Sequence, residues 1–203
     1  MEQSNNQITV RGTLVNLPVY SHDSHGKRFF KFFLEVPRLS NAVDILPVVA
    51  EERILNGFDL SGGEMVTVIG QIRSHNDRVD GIRRLMVFIY AYDMIAEDDE
   101  PINDVMIEGT ICKDPVFRRT PLGRDICDVM LAVPRAFKRA DYLPCILWGR
   151  TAMQIARCSI GDRIQLSGRL QSRSYTKVTD DGPIQRTAFE ISALTAEVLD
   201  DSL

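Results

Sequence analysis

Three aromatic residues in the second half of this 203-residue chain stand where a core would not place them. Tyr142 and Trp148 fall on one parity of an alternating segment that Arg150 continues, and Leu143, Cys145 and Leu147 occupy the other. Tyr175 shares its parity with Arg169 and Arg173. Successive side chains of a strand point to opposite faces, so an aromatic on the polar parity is not filling a core. It offers a π-face to a flat ligand, and cations beside it can neutralise a phosphate attached to that ligand. The candidate cations are Arg118, Arg119, Arg124, Lys138, Arg139, Arg150, Arg169, Arg173 and Lys177.

Other chemistry finds little support. His22 and His25 have an H-x-x-H spacing, but they lie with Asp23 and Ser24 before Gly26 and read as a surface turn rather than a metal site. Cys112, Cys127, Cys145 and Cys158 form no C-x-x-C pair, so they read as reduced thiols packed in a core and not as zinc ligands. No glycine-rich phosphate loop, nucleophile elbow or catalytic carboxylate pair stands out, and the chain is expected to be no enzyme and to need no cofactor or metal. There is no long apolar run to span a membrane and no secretory leader in the first twenty residues, which points to the cytoplasm. The net charge of −4 argues weakly against a polyanionic partner for the whole chain. It is unevenly spread. Residues 1–100 hold 10 Lys and Arg against 15 Asp and Glu, a balance of −5, whereas residues 101–203 hold 14 against 13, a balance of +1. A phosphate-binding surface needs local positive charge, and only the second half supplies a candidate.

The elements that must position these side chains emerge from an internal repeat. Val19 to Arg38 (VYSHDSHGKRFFKFFLEVPR) matches Val116 to Arg135 (VFRRTPLGRDICDVMLAVPR) at an offset of 97, with 6 of 20 positions identical. Gly12-Thr13 pairs with Gly109-Thr110, Asp44-x-Leu46-Pro47 with Asp141-x-Leu143-Pro144, and Gly63 and Gly70 with Gly161 and Gly168 after one extra residue. Within each copy the pattern is mostly strand. Ile164, Leu166 and Leu170 alternate with Arg163, Gln165, Arg169 and Arg173, and Val66, Val68 and Ile72 alternate around Gly70. The glycines on the inward parity suit sharp bends in a small barrel. Thr151–Cys158 has helical composition. About five strands with a helix between the third and fourth predict an all-β protein of two tandem OB-folds, each a five-stranded Greek-key barrel with one short helix. The expected domains are 1–95, an acidic linker at 96–102, and 103–200.

The second half resembles the bacterial single-stranded DNA-binding protein family. The matching motifs are Asn103 to Gly109 (NDVMIEG), Asp114-Pro115, Thr120-Pro-Leu-Gly123, Leu131-Ala-Val133, Leu147-Trp-Gly-Arg150, and Gly161 to Leu170 followed by Arg173-Ser-Tyr175. The resemblance implies non-enzymatic binding of single-stranded DNA, largely independent of sequence, in replication, repair or recombination at the nucleoid. It places the family's stacking positions on Phe137, Tyr142, Trp148 and Tyr175, of which strand parity supports the last three. Two such domains in one chain resemble family members in which a homodimer supplies four OB-folds. By the repeat offset, the same positions in the first half are Ser40, Ile45, Glu51 and Asp77. None is aromatic and two would repel phosphate, so the first copy is expected to be a scaffold. Its Phe29 and Phe33 share the parity of Lys31 and are expected at a domain or subunit interface, with a displaced stacking surface as the other reading. The chain ends Glu197-Val-Leu-Asp-Asp-Ser-Leu203, without the acidic-tipped tail by which relatives recruit replication proteins. The alternative function is a primosomal accessory or protein-interaction module of the same fold.

Overall fold

The computed structural model describes residues 5–58, 60–79, 82–96, 99–179 and 182–199. Met1 to Ser4, the acidic pair Glu97-Asp98 of the expected linker and residues 200–203 lie outside the described residues.

Alternating apolar residues drive the strands of both halves. The first half runs β1 (Asn6–Leu14), β2 (Val19–Ser24), β3 (Lys27–Pro37), β4 (Val43–Glu51), α1 (Glu52–Leu55), β5 (Met65–Val79) and β6 (Ile82–Ala96). The second repeats it as β7 (Ile102–Ile111), β8 (Val116–Arg119), β9 (Asp125–Arg135), β10 (Arg139–Trp148), α2 (Gly149–Ile155), β11 (Arg163–Thr179) and β12 (Gly182–Leu199). The sheet order is β2-β3-β4-β6-β5-β1-β7-β11-β12-β10-β9-β8, and the additional pairings β3–β1 and β7–β9 close each half into a barrel of five strands. The short β2 and β8 extend each barrel as an edge strand, so each half carries one strand more than the five expected. The helix falls between the third and fourth barrel strands, as the pattern predicts, but begins at Gly149 rather than Thr151 and ends at Ile155.

The inward parities carry the cores. Ile164, Leu166 and Leu170 are buried, as are Val66, Val68 and Ile72. Both inward glycines sit at bulges where β5 or β11 shifts register against its neighbour. A Cβ on Gly168 would stand 2.2 Å from the Ser192 carbonyl oxygen, and one on Gly70 would stand 2.3 Å from that of Tyr90. Only a residue without a side chain lets these strands close so tightly. The four cysteines are free thiols, with Cys127 and Cys145 buried and Cys112 and Cys158 partly so. Burial pushes the Cys127 thiol up to about 11, and that of Cys145 further.

The two barrels are not beads on a string. β1 pairs antiparallel with β7 from Asn6↔Ile107 to Arg11↔Ile102, so one sheet runs through both. Strand therefore reaches into both ends of the acidic segment expected as a linker, and Arg11 holds its middle through Asp99 at 3.5 Å and the Glu100 carbonyl at 3.2 Å. Two equivalent buried carboxylates lock the junction. Asp44, 1% exposed, accepts from Arg38 of its own barrel at 2.8 and 2.5 Å, and from the Ser172 amide at 2.6 Å and hydroxyl at 2.8 Å in the other. Asp141, 0% exposed, accepts from Arg135 of its own barrel at 3.3 Å, and from Arg73 at 3.1 Å and the Ser74 amide at 2.7 Å across the junction. The Ser74 hydroxyl in turn accepts from the Tyr142 amide at 2.7 Å.

Candidate nucleic-acid interface

Strands β8, β9, β10, β12 and β11 of the second barrel lie side by side. On β10, Leu143, Cys145 and Leu147 point into the core, while Tyr142 and Trp148 stand on the outer face, 45% and 37% exposed. Ile146 of that outer row pairs with Ser192 of β12 in parallel register, which brings the Ser192 hydroxyl under the indole. Trp148 Nε1 donates to it at 3.0 Å. The hydrogen bond fixes one edge of this part-exposed ring. Tyr175 on β11 pairs across the hairpin with Arg186 of β12, and the Arg173 guanidinium lies 5.6 Å from the Tyr175 ring centre. Phe137 is at the tip between β9 and β10, 94% exposed, with φ 60° and ψ 38°; Lys138 follows it at φ 55°. Two consecutive non-glycine residues in the left-handed region cost on the order of 1–3 kcal/mol each, and such strain concentrates at ligand sites.

The cations divide into three groups. Arg118 is forked onto Asp128 at 2.6 and 3.2 Å, Arg119 is bound to Asp125 at 2.8 Å, and Arg173 is bound to Glu190 at 3.1 Å. Their carboxylates already occupy the geometry a phosphate would take, and the hydrogen bonds hold the Arg118 and Arg119 guanidiniums above their ordinary range. Arg169 is not brought to the aromatic face. It lines a cleft at the barrel junction with Arg38, Asp44, Glu100 and Asp104. Among the described residues, Arg124, Lys138, Arg139, Arg150 and Lys177 make no ion pair, and all but the half-buried Lys177 are exposed. Arg150 does not continue the Trp148 row, because Gly149 at φ 56° turns the chain out of β10 and into α2.

Sequence reasoning missed Ser192, Arg186 and Glu190, which all lie on β12. The Asp-Asp-Gly run at 180–182 is a hairpin signal that brings β12 beside β11, but it does not fix the register that sets Arg186 opposite Tyr175.

The first barrel arranges the same face differently. Ser40 sits in an exposed turn and Ile45 is part-exposed on β4. Glu51 is bound by Lys27 at 2.9 Å and Arg53 at 3.0 Å, and the Lys27 hydrogen bond, with that from Arg53, holds its carboxyl below the usual range. Its charge is thus offset locally, which reduces the repulsion expected of it. Asp77 is exposed, its Oδ1 accepting from the Arg78 amide at 2.8 Å. Phe29 makes its ring contacts inside the first barrel and not across the junction with the second. It is buried within its own barrel, stacked on His22 at 5.0 Å and 10° and flanked by Tyr90 at 6.0 Å. Phe33 lies under the Lys31 ammonium at 5.0 Å. Among the described residues no cluster of His, Cys, Asp and Glu could hold a metal ion, His22 and His25 included. Among the described residues no helix is long and apolar enough to cross a membrane.

Comparison with known proteins matches the second half of the chain most directly. A family model described as the single-strand binding protein family matches residues 102–199. The protein named single-stranded DNA-binding protein B of Bacillus subtilis is 44% identical over 80 residues, covering 36% of this chain and 71% of that protein. Single-stranded DNA-binding protein 1 of Lactococcus lactis is 35% identical over 81 residues, 36% of this chain and 54% of its own length. The solved wild-type single-stranded DNA binding protein from Thermus aquaticus superposes on both barrels, with a TM-score of 0.80 at 21% identity over 98% of this chain and 94% of that one. At that identity it speaks to the fold of the whole: two OB-fold barrels in one chain. With the motifs, the barrel and a relative matched over most of its length, the chain belongs to the single-strand binding protein family.

Proposed function

We propose that this chain binds single-stranded DNA, largely without regard to sequence, by stacking bases on Tyr142, Trp148, Tyr175 and Phe137 of the second barrel while Arg124, Lys138, Arg139, Arg150 and Lys177 meet the phosphates. The observation that carries the reading is a pair of exposed aromatics on β10, Tyr142 and Trp148, set over a buried row, with the indole edge fixed by Ser192. Every base has a π-face, so such platforms bind without selecting sequence. The relatives' names support the same reading. No bond is made or broken in this activity, and its place is wherever duplex DNA is opened, in replication, repair or recombination. The first barrel stacks no bases in this manner, because the aromatics of its corresponding face, Phe29, His22 and Tyr90, pack on one another.

Anisotropy of labelled oligo-dT with the intact chain tests this. Affinity should fall as salt rises from low to physiological, by about 0.7 in the log–log slope for each phosphate neutralised. Absence of binding at low salt, with capture of a replication protein instead, would favour the accessory-module reading.

Two copies of the chain are expected to pair and so present four barrels. Tyr92 and Ile95 of β6 and Leu194 of β12 are large apolar side chains left exposed for a second copy to cover. Light scattering at micromolar concentration should give the mass of two chains; a single-chain mass would remove the pairing.

A further inference from the structure

The β5–β6 hairpin of the first barrel docks on β10 of the second through Ser74, which bonds both Asp141 and the Tyr142 amide. Val87 lies opposite Ser74 in that hairpin, and Leu85 and Arg84 lie further towards its tip. Together with Pro144, Tyr175, Lys177, Arg186 and Phe189 of the second barrel, they line an open cleft of about 490 Å³. The cleft contains a stacking platform and three cations from two different barrels. Among the described residues, none that lines it is acidic. None of Arg84, Lys177 and Arg186 is ion-paired among the described residues, although many arginines elsewhere are, Arg118, Arg119 and Arg173 of the second barrel included. Asp77, the cross-strand partner of Arg84, is not among the lining residues and forms no ion pair with it among the described residues. The other cleft at the junction mixes Arg38 and Arg169 with Asp44, Glu100 and Asp104. Cations of like sign gathered without counter-charge repel one another until an anion joins them.

We propose that this cleft is a phosphodiester-binding site shared between the barrels, in which Arg84 of the first barrel holds a phosphate of the nucleotide next to the base stacked on Tyr175. The proposal rests on the single-strand reading of the second barrel and extends it. The first barrel, without platforms of its own, carries the strand onward by charge.

The test uses the full chain and labelled oligo-dT across a salt series. Arg84→Gln should lower the salt slope by about 0.7, the value for one lost phosphate contact on a single strand. Arg84→Lys should restore it, since the role is that of a charge. Arg157→Gln, an exposed arginine after α2 and outside the cleft, should leave the slope unchanged and so control for overall charge. An Arg84→Gln slope equal to that of the parent overturns the shared site, as does an equal loss in Arg157→Gln. Trp148→Ala run alongside separates the two failures: if it binds like the parent, the platform reading itself falls, whereas a Trp148→Ala defect beside an unchanged Arg84→Gln slope removes only the shared cleft.

Discussion

A chain carrying Trp148→Ala together with Tyr175→Ala will bind oligo-dT between about thirty-fold and about 25,000-fold more weakly than the parent, at roughly 1–3 kcal/mol for each base unstacked. The two rings lie on different strands of one face and are joined by no hydrogen bond or ring contact among the described residues, so their losses should nearly add. The loss should be accompanied by little change in fold. Trp148 and Tyr175 contribute no side chain to the buried core, and the indole's one hydrogen bond is to the surface hydroxyl of Ser192. The salt slope should change little, because the platforms carry no charge. Equilibrium anisotropy titrations at one fixed salt concentration, with circular dichroism as the check on folding, decide it. Parental affinity in the double variant would show that bases stack elsewhere, and the filled aromatic face of the first barrel would then be the next surface to probe.

Asp141→Ala will cost about 3–5 kcal/mol of unfolding free energy, the usual penalty for removing one partner of a buried pair. The carboxylate is fully buried and receives Arg73 and the Ser74 amide from one barrel and Arg135 from the other. Its removal leaves two guanidiniums uncompensated and one amide without an acceptor at the same point. For a domain of this size the expected fall in Tm is about 6–20 °C. Asp128→Ala provides the contrast. It too loses an arginine pair, but both partners are substantially exposed, and such pairs contribute about 0–1 kcal/mol. Thermal melts of the two variants should therefore differ widely. If Asp141→Ala melts with Asp128→Ala, the junction is not held by its buried carboxylates.

The repeat and the alternation carried most of the fold. Ile164, Leu166 and Leu170 are core because they alternate with polar neighbours, and Leu143, Cys145 and Leu147 are core for the same reason; their opposite parity puts Tyr142 and Trp148 outside. Alternation fails where a strand ends, and nothing in Trp148-Gly149-Arg150 announces that Gly149 takes a left-handed turn and carries Arg150 off the row. It also fails to say which face a strand shares with its neighbours. Arg169, Arg173 and Tyr175 have one parity, yet the bulge at Ser167/Gly168 and the length of β11 spread them from the junction cleft to the outer face. Pairing partners are set by the sheet and not by the chain. Arg118, Arg119 and Arg173 read as free cations until β8–β9 and β11–β12 set them beside Asp128, Asp125 and Glu190. Asp44 and Asp141 fall in a conspicuous part of the repeat, but an aspartate in a sequence reads as surface, and only the apposition of the two barrels buries it.

The β1–β7 ladder has a consequence for behaviour in dilute solution. Where two separate chains must meet to form such a ladder, its population depends on their concentration, and the partnership dissolves as the protein is diluted. Here both strands belong to one polypeptide, so each barrel sees the other at a fixed effective concentration. The pairing is a unimolecular equilibrium, unchanged from micromolar to picomolar protein. Whatever the number of chains in the assembly, the smallest species on dilution is a matched pair of barrels, and the edge of β1 is never offered to a stranger.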